Sequence, residues 1–271
     1  MNTSVTTKPI TSVAELSAAV THHIDQDADN YPFFRGMASS RWNLRPKVFR
    51  DGHIASEYYY TTNFKRLALS RHAECPRHDD YSGWLSMMQH YGLPTRLLDW
   101  TESALAAAYF AVCHDQPKDT KDDDAIVWCL NPTRLNVYQN IHFGIPDLSS
   151  IEQSTTFRRL VKGAFYSGFG PNSQPPEGDD VGEMVAAVLC DEVDIRIAVQ
   201  RGTFTIHNSN LPLEDKATAH QFLTGFTIPA AAKSRFAEEL EMLGMCRMNL
   251  FPDLHNLAID LQHQVIDLKR R

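Results

Sequence analysis

The sequence predicts an α+β protein, a single domain in which helices flank one mixed and mostly antiparallel sheet. Two observations support this prediction. Several short apolar or alternating runs have the length of strands. Several longer segments repeat their apolar residues every three or four positions, as amphipathic helices do. No internal repeat and no second domain is apparent.

The composition is that of an ordinary globular chain. The 271 residues are 43% hydrophobic and 22% charged, with a net charge of -7. The sequence has no run of 18 apolar residues, and its start, MNTSVTTKPI, lacks the apolar region of a secretion signal. We therefore expect a cytoplasmic protein without membrane association. The negative net charge removes the general attraction to nucleic acid, although it leaves room for a local basic patch.

Metal chemistry is not expected. The five cysteines are scattered, odd in number and never spaced C-x-x-C, which argues against a disulfide framework or a zinc ribbon. His72, Cys75 and His78 lack a fourth ligand at a typical spacing. The adjacent carboxylates of residues 122–124 lie in a charged loop that is poorly arranged to hold Mg²⁺, which argues against a nuclease.

Signatures of common nucleotide and hydrolase sites are also absent. The sequence contains neither G-x-x-x-x-G-K-[ST] nor G-x-G-x-x-G, which argues against a P-loop or a Rossmann site. G-x-S-x-G and H-E-x-x-H are missing as well, so the common serine hydrolase and zincin signatures do not apply.

Helices are predicted from capping signals combined with apolar periodicity. Ser12 and Glu15 form a capping box at the start of the first of these segments, and Gly244 supplies a stop near the end of the chain. The segments predicted as helices are 12–25, 57–73, 229–243 and a final stretch that starts at Asp253.

Strand-length runs recur along the rest of the chain. The segments predicted as strands are 31–37, 125–130, 184–189, 193–200, 203–207 and 222–228. From Tyr138 to Asp180, glycines and prolines break every period. A long irregular span of this kind is usually functional, so we expect it to shape a pocket or a partner surface.

The stretch from Gln89 to Ala111, QHYGLPTRLLDWTESALAAAYFA, holds ionisable residues between two apolar runs. The preceding apolar spacing predicts a helix that ends at Tyr91, with Gly92 as its stop. Asp99 stands where an N-cap would, and we expect it to begin a second, alanine-rich helix.

Arg96 and Asp99 are separated by two leucines. If those leucines are buried, the two charges must pair with each other or with a ligand, because an unpaired buried charge costs several kcal/mol. The alternative is structural, with Asp99 as a helix cap and Arg96 either as its ion-pair partner or as a donor to nearby carbonyls.

Arg35 stands in the middle of the aromatic segment 31–37, beside Gly36, which allows a ligand or another backbone to approach closely. A run of basic residues interleaved with apolar ones follows. These planar or fork-like donors suit phosphate or pyrophosphate, and they are Arg41, Arg45, Lys47 and Arg50. Alternatively, Arg35 only ties down the loop that follows it.

Two of these stretches closely resemble the FRG-domain family, named for the triplet Phe34, Arg35 and Gly36. They are FFRGMASSRWNLRPKVFR and the stretch from Gln89 to Ala111; RIAVQRGTF and NLFPDL, later in the chain, are also similar. The resemblance predicts a division into a tail and helix (1–29), an FRG domain (30–260) and the end of the C-terminal helix (261–271).

The resemblance also carries functional expectations. FRG domains occur in bacteria and phages, often in toxin or phage-defence settings, and they are similar to ADP-ribosyltransferase folds. The resemblance therefore implies a bacterial or phage protein that is an NAD-dependent ADP-ribosyltransferase or an NAD glycohydrolase. NAD would be the substrate, and the acceptor would be a protein or a nucleic acid.

Breaking the bond between ribose and nicotinamide builds positive charge on the sugar, so such a site needs a carboxylate near the ribose and donors on the pyrophosphate. Arg35 and Arg96 are expected to hold either the phosphates or the nicotinamide-ribose side of NAD, and His90 and Thr95 the ribose hydroxyls. The expected catalytic set is Arg35, His90, Arg96, Asp99 and Gln200. The expected NAD contacts are Arg35, Gly36, Gln89, His90, Thr95 and Arg96.

Transferases of this type commonly carry a glutamate where this chain has Gln200, so Asp99, Glu183 or Glu192 would have to act in its place. The competing hypothesis is a module that senses a nucleotide or binds a protein without catalysis. In that case the cluster of Arg35, Arg96 and Asp99 stabilises the fold.

Overall fold

The computed structural model describes residues 5–25, 31–112, 117–141, 144–154, 157–165, 183–190 and 195–270. Its strands are β1 (Thr7–Pro9), β2 (Phe33–Met37), β3 (Leu97–Thr101), β4 (Ala125–Leu130), β5 (Val185–Val188), β6 (Gly202–His207) and β7 (Leu223–Ile228). In these residues they form one seven-stranded sheet in the order β1-β7-β4-β2-β3-β6-β5. Only the β1–β7 pair is parallel. The predicted mixed, mostly antiparallel sheet is confirmed.

Helices connect and cover these strands. They are α1 (Val13–Asp25), α2 (Glu57–Ala68), α3 (Tyr81–His90), α4 (Ala104–Val112), α5 (Pro132–Tyr138), α6 (Leu148–Gln153), α7 (Arg158–Lys162), α8 (Ile195–Gln200), α9 (Lys233–Met242), α10 (Arg247–Leu250) and α11 (Leu254–Arg270). The helices predicted near both ends of the chain, and the one that ends at Tyr91, are confirmed. Among the described residues, no helix has the length and apolar character needed to cross a bilayer.

Two groups of helices lie side by side on one face of the sheet. Helices α1, α4 and α9 pack on β2, β4 and β7, where Phe34, Val127 and Phe226 are buried. Helices α3, α6 and α7 pack on the other half of the sheet, over Leu97 and Ile206. The opposite face is covered mainly by loops and α5. The core is therefore divided at the boundary between β2 and β3.

Helix α4 packs unusually close to β2. A Cβ at Gly36 would overlap the carbonyl oxygen of Ala107 and come within 2.7 Å of the amide nitrogen of Ala111. Both of these alanines are fully buried. The alanine-rich sequence of α4 and the glycine of β2 therefore allow the backbones of helix and strand to meet directly.

The expectation that Asp99 caps a helix is wrong. Asp99 lies within β3, opposite Phe204 of β6, and α4 begins only at Ala104. The hydroxyl of Ser103 acts as the cap instead and accepts a hydrogen bond from the amide of Ala106 at 3.2 Å. Pairing with β6 outweighs the local capping signal, because it satisfies the backbone along the whole segment.

The segment 193–200 was predicted as a strand, and this is also wrong for its described part. Ile195–Gln200 is the short helix α8, and Arg201, with φ of 49°, turns the chain into β6. Helix α8 packs against α10 and β6, so long-range packing overrides the alternating pattern. Much of the irregular span 138–180 lies outside the described residues, and its described parts include α6 and α7.

Replacing Gly36 with alanine is expected to lower the free energy of unfolding by about 3 kcal/mol, because α4 must move away from β2 to make room for the methyl group. Urea unfolding followed by circular dichroism measures this loss. Gly202→Ala is the matched control, since the added Cβ there comes no closer than 3.3 Å to a neighbouring atom, the Cγ2 of Ile197. Equal stability of the two variants would contradict the packing argument.

Candidate functional site

The sheet is open between its central strand, β2, and the neighbouring strand β3. Strands β2 and β3 are neighbours, but only Phe34 and Thr101 form a registered pair between them. By contrast, β2 pairs with β4, and β3 with β6, along all five of their residues. Beyond the single pair, residues of both strands line a cavity of about 630 Å³. This volume is typical of small-molecule sites.

The cavity has a predominantly basic lining. Its cations are Arg35, Lys47, Arg50 and Arg196, whereas Asp51 and Asp99 are the carboxylates that line it among the described residues. Aromatic side chains contribute flat apolar surfaces, namely Phe34, Trp42, Trp100 and Phe110. A cavity of this composition favours an anionic ligand that also carries planar groups.

Arg35 occupies the opening between the strands. Its Nη1 donates to the main-chain oxygen of Asp99 at 2.5 Å and lies 3.7 Å from the Oδ2 of the same residue. Its Nε is buried and has no hydrogen-bond partner among the described residues. Burial lowers the pKa of the guanidinium and the charge of Asp99 opposes this shift, yet the group stays protonated because arginine titrates far above neutral pH.

The carboxylate of Asp99 is oriented by a short chain of polar side chains. Its Oδ1 accepts from the Nε2 of Gln89 at 2.8 Å, and the Oε1 of Gln89 accepts from the hydroxyl of Thr95. That hydroxyl in turn accepts from the amide of Leu97 at 3.1 Å. Although the Asp99 side chain is 58% exposed to the cavity and solvent, its position is therefore fixed.

The C-terminal end of α3 delivers two more predicted residues, Gln89 and His90, to the cavity. The helix stops there because Gly92 adopts a φ of 76°, a conformation that favours glycine. The carbonyl of Gly92 accepts a hydrogen bond from the Nζ of Lys47 at 3.0 Å. The turn that follows His90 therefore holds Lys47, one of the cavity's cations, in place.

Helix α8 provides the far wall. The Nε2 of Gln200 donates to the carbonyl of Leu250 at 2.8 Å, and its main-chain oxygen accepts from the hydroxyl of Thr101 at 2.6 Å. The guanidinium of Arg196 lies 4.7 Å from the ring centre of Phe251, within the range of cation–π attraction. Both side chains are thereby held facing the cavity.

A smaller cavity of about 90 Å³, the side pocket, adjoins the main one. The residues that line the side pocket alone are Ser86, Ile197, Gly202 and Phe204. The residues that line both cavities are Gln89, His90, Asp99, Trp100, Arg196 and Gln200.

Thr95 and Arg96 do not line the main cavity, unlike the other predicted site residues. Arg96 is buried behind its wall, where Nε and Nη2 each lie 2.7 Å from an oxygen of the Glu57 carboxylate and Nη1 donates to Asn208. The expected ion pair between Arg96 and Asp99 is therefore wrong. Helix α2 supplies the actual partner from 39 positions upstream, a distance at which no local pattern indicates pairing.

Several lining residues were missed as site residues. Lys47 and Arg50 belong to the basic run after β2, which indicated anion binding without showing which members face the site. Arg50 is held by the carbonyl of Arg45, which its Nε reaches at 2.8 Å. Trp42 and Phe110 gave no signal that distinguished them from ordinary apolar residues.

A buried histidine supports the cavity wall from behind. The indole Nε1 of Trp100 donates to the hydroxyl of Thr205 at 2.9 Å, and this hydroxyl lies 2.8 Å from Nε2 of His207. Burial, followed by the positive charges of Lys216 and Arg35, lowers the pKa of His207 to about 3. His207 is therefore neutral at physiological pH.

This shift predicts a pH-dependent stability. Below pH 6.5 the unfolded chain protonates His207 whereas the folded chain does not, so stability falls as the pH drops toward 3. The loss from this residue is about 2 kcal/mol at pH 5. Urea unfolding of His207→Gln between pH 7.5 and 5 should show a correspondingly flatter profile, whereas the exposed control His78→Gln should follow the wild type.

Glu57→Gln is expected to destabilise the fold by about 3–5 kcal/mol, because it leaves the Arg96 guanidinium buried without a counter-charge. The control is Glu102→Gln, which removes an exposed pair with Arg201 and should cost less than about 1 kcal/mol. Equal effects in chemical unfolding would refute a structural role for the buried pair.

Within the described residues, no group of three or more His, Cys, Asp or Glu side chains is arranged to hold a metal ion.

Comparisons with curated proteins and with solved structures find no match. Residues 30–120 match the family model of the FRG domain. The matched part contains β2, β3, the helices α2 to α4 and most of the residues that line the cavity, and this part of the chain is an FRG domain.

Proposed function

We propose that the chain is an ADP-ribosyltransferase-like enzyme that binds NAD in the main cavity and releases nicotinamide. The observation that carries the proposal is the pairing of Arg35 with Asp99 inside the opening of the sheet. It combines a guanidinium suited to a phosphate with an oriented carboxylate suited to a developing positive charge. We include in the same proposal a setting in a bacterial or phage toxin or defence system.

The cations of the cavity support pyrophosphate binding. Lys47 and Arg50 donate to main-chain carbonyls, which are neutral groups, so both side chains are held in place and keep their positive charge. Asp51 and Asp99, which also line the cavity, offset the charge of Arg50 only in part. Arg35 adds a buried Nε without a partner in the described residues. Such an atom gains a hydrogen bond when an acceptor oxygen enters the cavity, so a phosphate oxygen there would be favoured.

Asp99 is the carboxylate best suited to the reaction. Cleavage of the bond between the ribose C1′ and the nicotinamide nitrogen leaves the bonding electron pair on nicotinamide and positive charge on the ribose. The oriented carboxylate stabilises that charge. Gln200 carries no charge, Glu183 does not line the cavity, and Glu192 lies outside the described residues. The ribose is then captured by water or by a nucleophile of a protein or nucleic-acid acceptor.

The second candidate is a nucleotide-sensing module without catalysis. It is favoured by the contacts of Asp99, whose carboxylate already accepts from Gln89 and lies beside the guanidinium of Arg35. A carboxylate compensated in this way stabilises a new positive charge less than a free one does. In this case NAD or a related nucleotide binds, and no bond breaks.

The test is nicotinamide release by the purified protein. NAD labelled in nicotinamide is incubated with wild-type protein, with and without cell extract as a source of acceptor. The wild type should release label, and Asp99→Asn should slow release by about 100-fold or more while retaining NAD affinity. Arg35→Ala should weaken NAD binding itself, measured by calorimetry.

The matched control is Asp79→Asn, in an exposed loop outside both cavities, which should behave as the wild type. Each variant is checked by circular dichroism and thermal unfolding. Tight binding of NAD without release of nicotinamide, even with extract, would favour the sensing module. Absence of NAD binding to folded wild-type protein would reject the enzyme and a module that senses NAD.

A further inference from the structure

We infer that the side pocket is the nicotinamide subsite of this proposed enzyme and that the bond to be cleaved lies where the two cavities meet. This inference rests on the proposed function and adds to it the orientation of the substrate. It depends on the shape of the side pocket, on the distribution of charge between the two cavities and on the place of Asp99.

The side pocket has the size and surfaces to hold a small flat ring. Its volume of about 90 Å³ gives room for roughly six to nine water-sized groups, which suits a single six-membered ring with a carboxamide. Trp100 and Phe204, both almost fully buried, and Ile197 form apolar walls. Aromatic walls favour a planar ligand, which can stack or meet the ring edges.

The polar groups at the side pocket match a carboxamide. Gln89 and Gln200 both line it, and each bears an amide that offers donors and an acceptor. The Nε2 of each is already engaged, with Asp99 and with Leu250 respectively, so these side chains are held in place. An amide ligand can be recognised by such side chains without a net charge.

The charges of the two cavities fix the direction of the dinucleotide. Three of the four cations, Arg35, Lys47 and Arg50, line the main cavity but not the side pocket, whereas Arg196 lines both. The greater positive charge of the main cavity places the pyrophosphate there. The ring at the other end then enters the side pocket. The ribose between them lies at the junction, where Asp99 lines both cavities.

The experiment compares two ligands that differ only by the nicotinamide group. Calorimetry measures the affinities of NAD and ADP-ribose for the wild type and for Ser86→Leu, in which the larger side chain occupies the side pocket. NAD should bind the variant about tenfold more weakly or worse, because overpacking by a bulky group costs at least this much. The affinity for ADP-ribose should stay within about twofold of wild type, an effect below 0.5 kcal/mol.

Ser234→Leu is the matched control, because Ser234 is exposed on α9 and lines neither cavity. It should bind both ligands as the wild type does. A second measurement needs no variant: free nicotinamide should bind the wild type in the presence of saturating ADP-ribose and should compete with NAD.

The outcomes separate this inference from the proposed function. If the wild type binds both ligands and folded Ser86→Leu binds NAD normally, or loses both ligands equally, the side pocket does not hold nicotinamide. The same conclusion follows if ADP-ribose excludes free nicotinamide from the wild type. This measurement tests the subsite even if Ser86→Leu fails to fold. If the wild type binds neither NAD nor ADP-ribose, the proposed function itself is wrong and the subsite with it.

Discussion

The hydrogen bond from Arg35 to the main-chain oxygen of Asp99 occupies the place of a ladder bond between β2 and β3. A continuous sheet would fill this space with backbone pairing and leave no cavity. The guanidinium instead satisfies the carbonyl of one strand from the side chain of the other. The opening, its cation and its carboxylate therefore share one cause, the substitution of a side-chain contact for part of the ladder.

The three residues that name the family have separate physical tasks in this chain. Phe34 is buried in the core with α4 and β4, Arg35 enters the cavity, and Gly36 lets α4 lie against β2. Alternation along a strand explains why Arg35 points away from the helix that its two neighbours contact. The close approach of α4 holds β2 firmly, so the guanidinium projects from a rigid support.

Most of the fold and part of the candidate site could be predicted from the sequence. Capping signals and apolar periodicity were enough to predict the helices α1, α3 and α9. Apolar runs were enough to predict the strands β4 and β7. The wrong predictions for Asp99 and for the segment 193–200 share a physical reason, since pairing or packing with distant segments overrode a local pattern. The Glu57 partner of Arg96 could not be found from sequence for the same reason. The basic character of residues 41–50 could be seen in the sequence, but which of these residues face the cavity could not.

The way in which the cations of the cavity are held has a further consequence. Lys47 and Arg50 donate to carbonyl oxygens. These partners are neutral, so the two side chains are held in place and keep their positive charge. The side chains that donate to an entering anion are already ordered, so binding costs little additional side-chain entropy. Its affinity therefore depends on ionic strength, as expected for long-range attraction, while the chain itself needs little rearrangement to receive it.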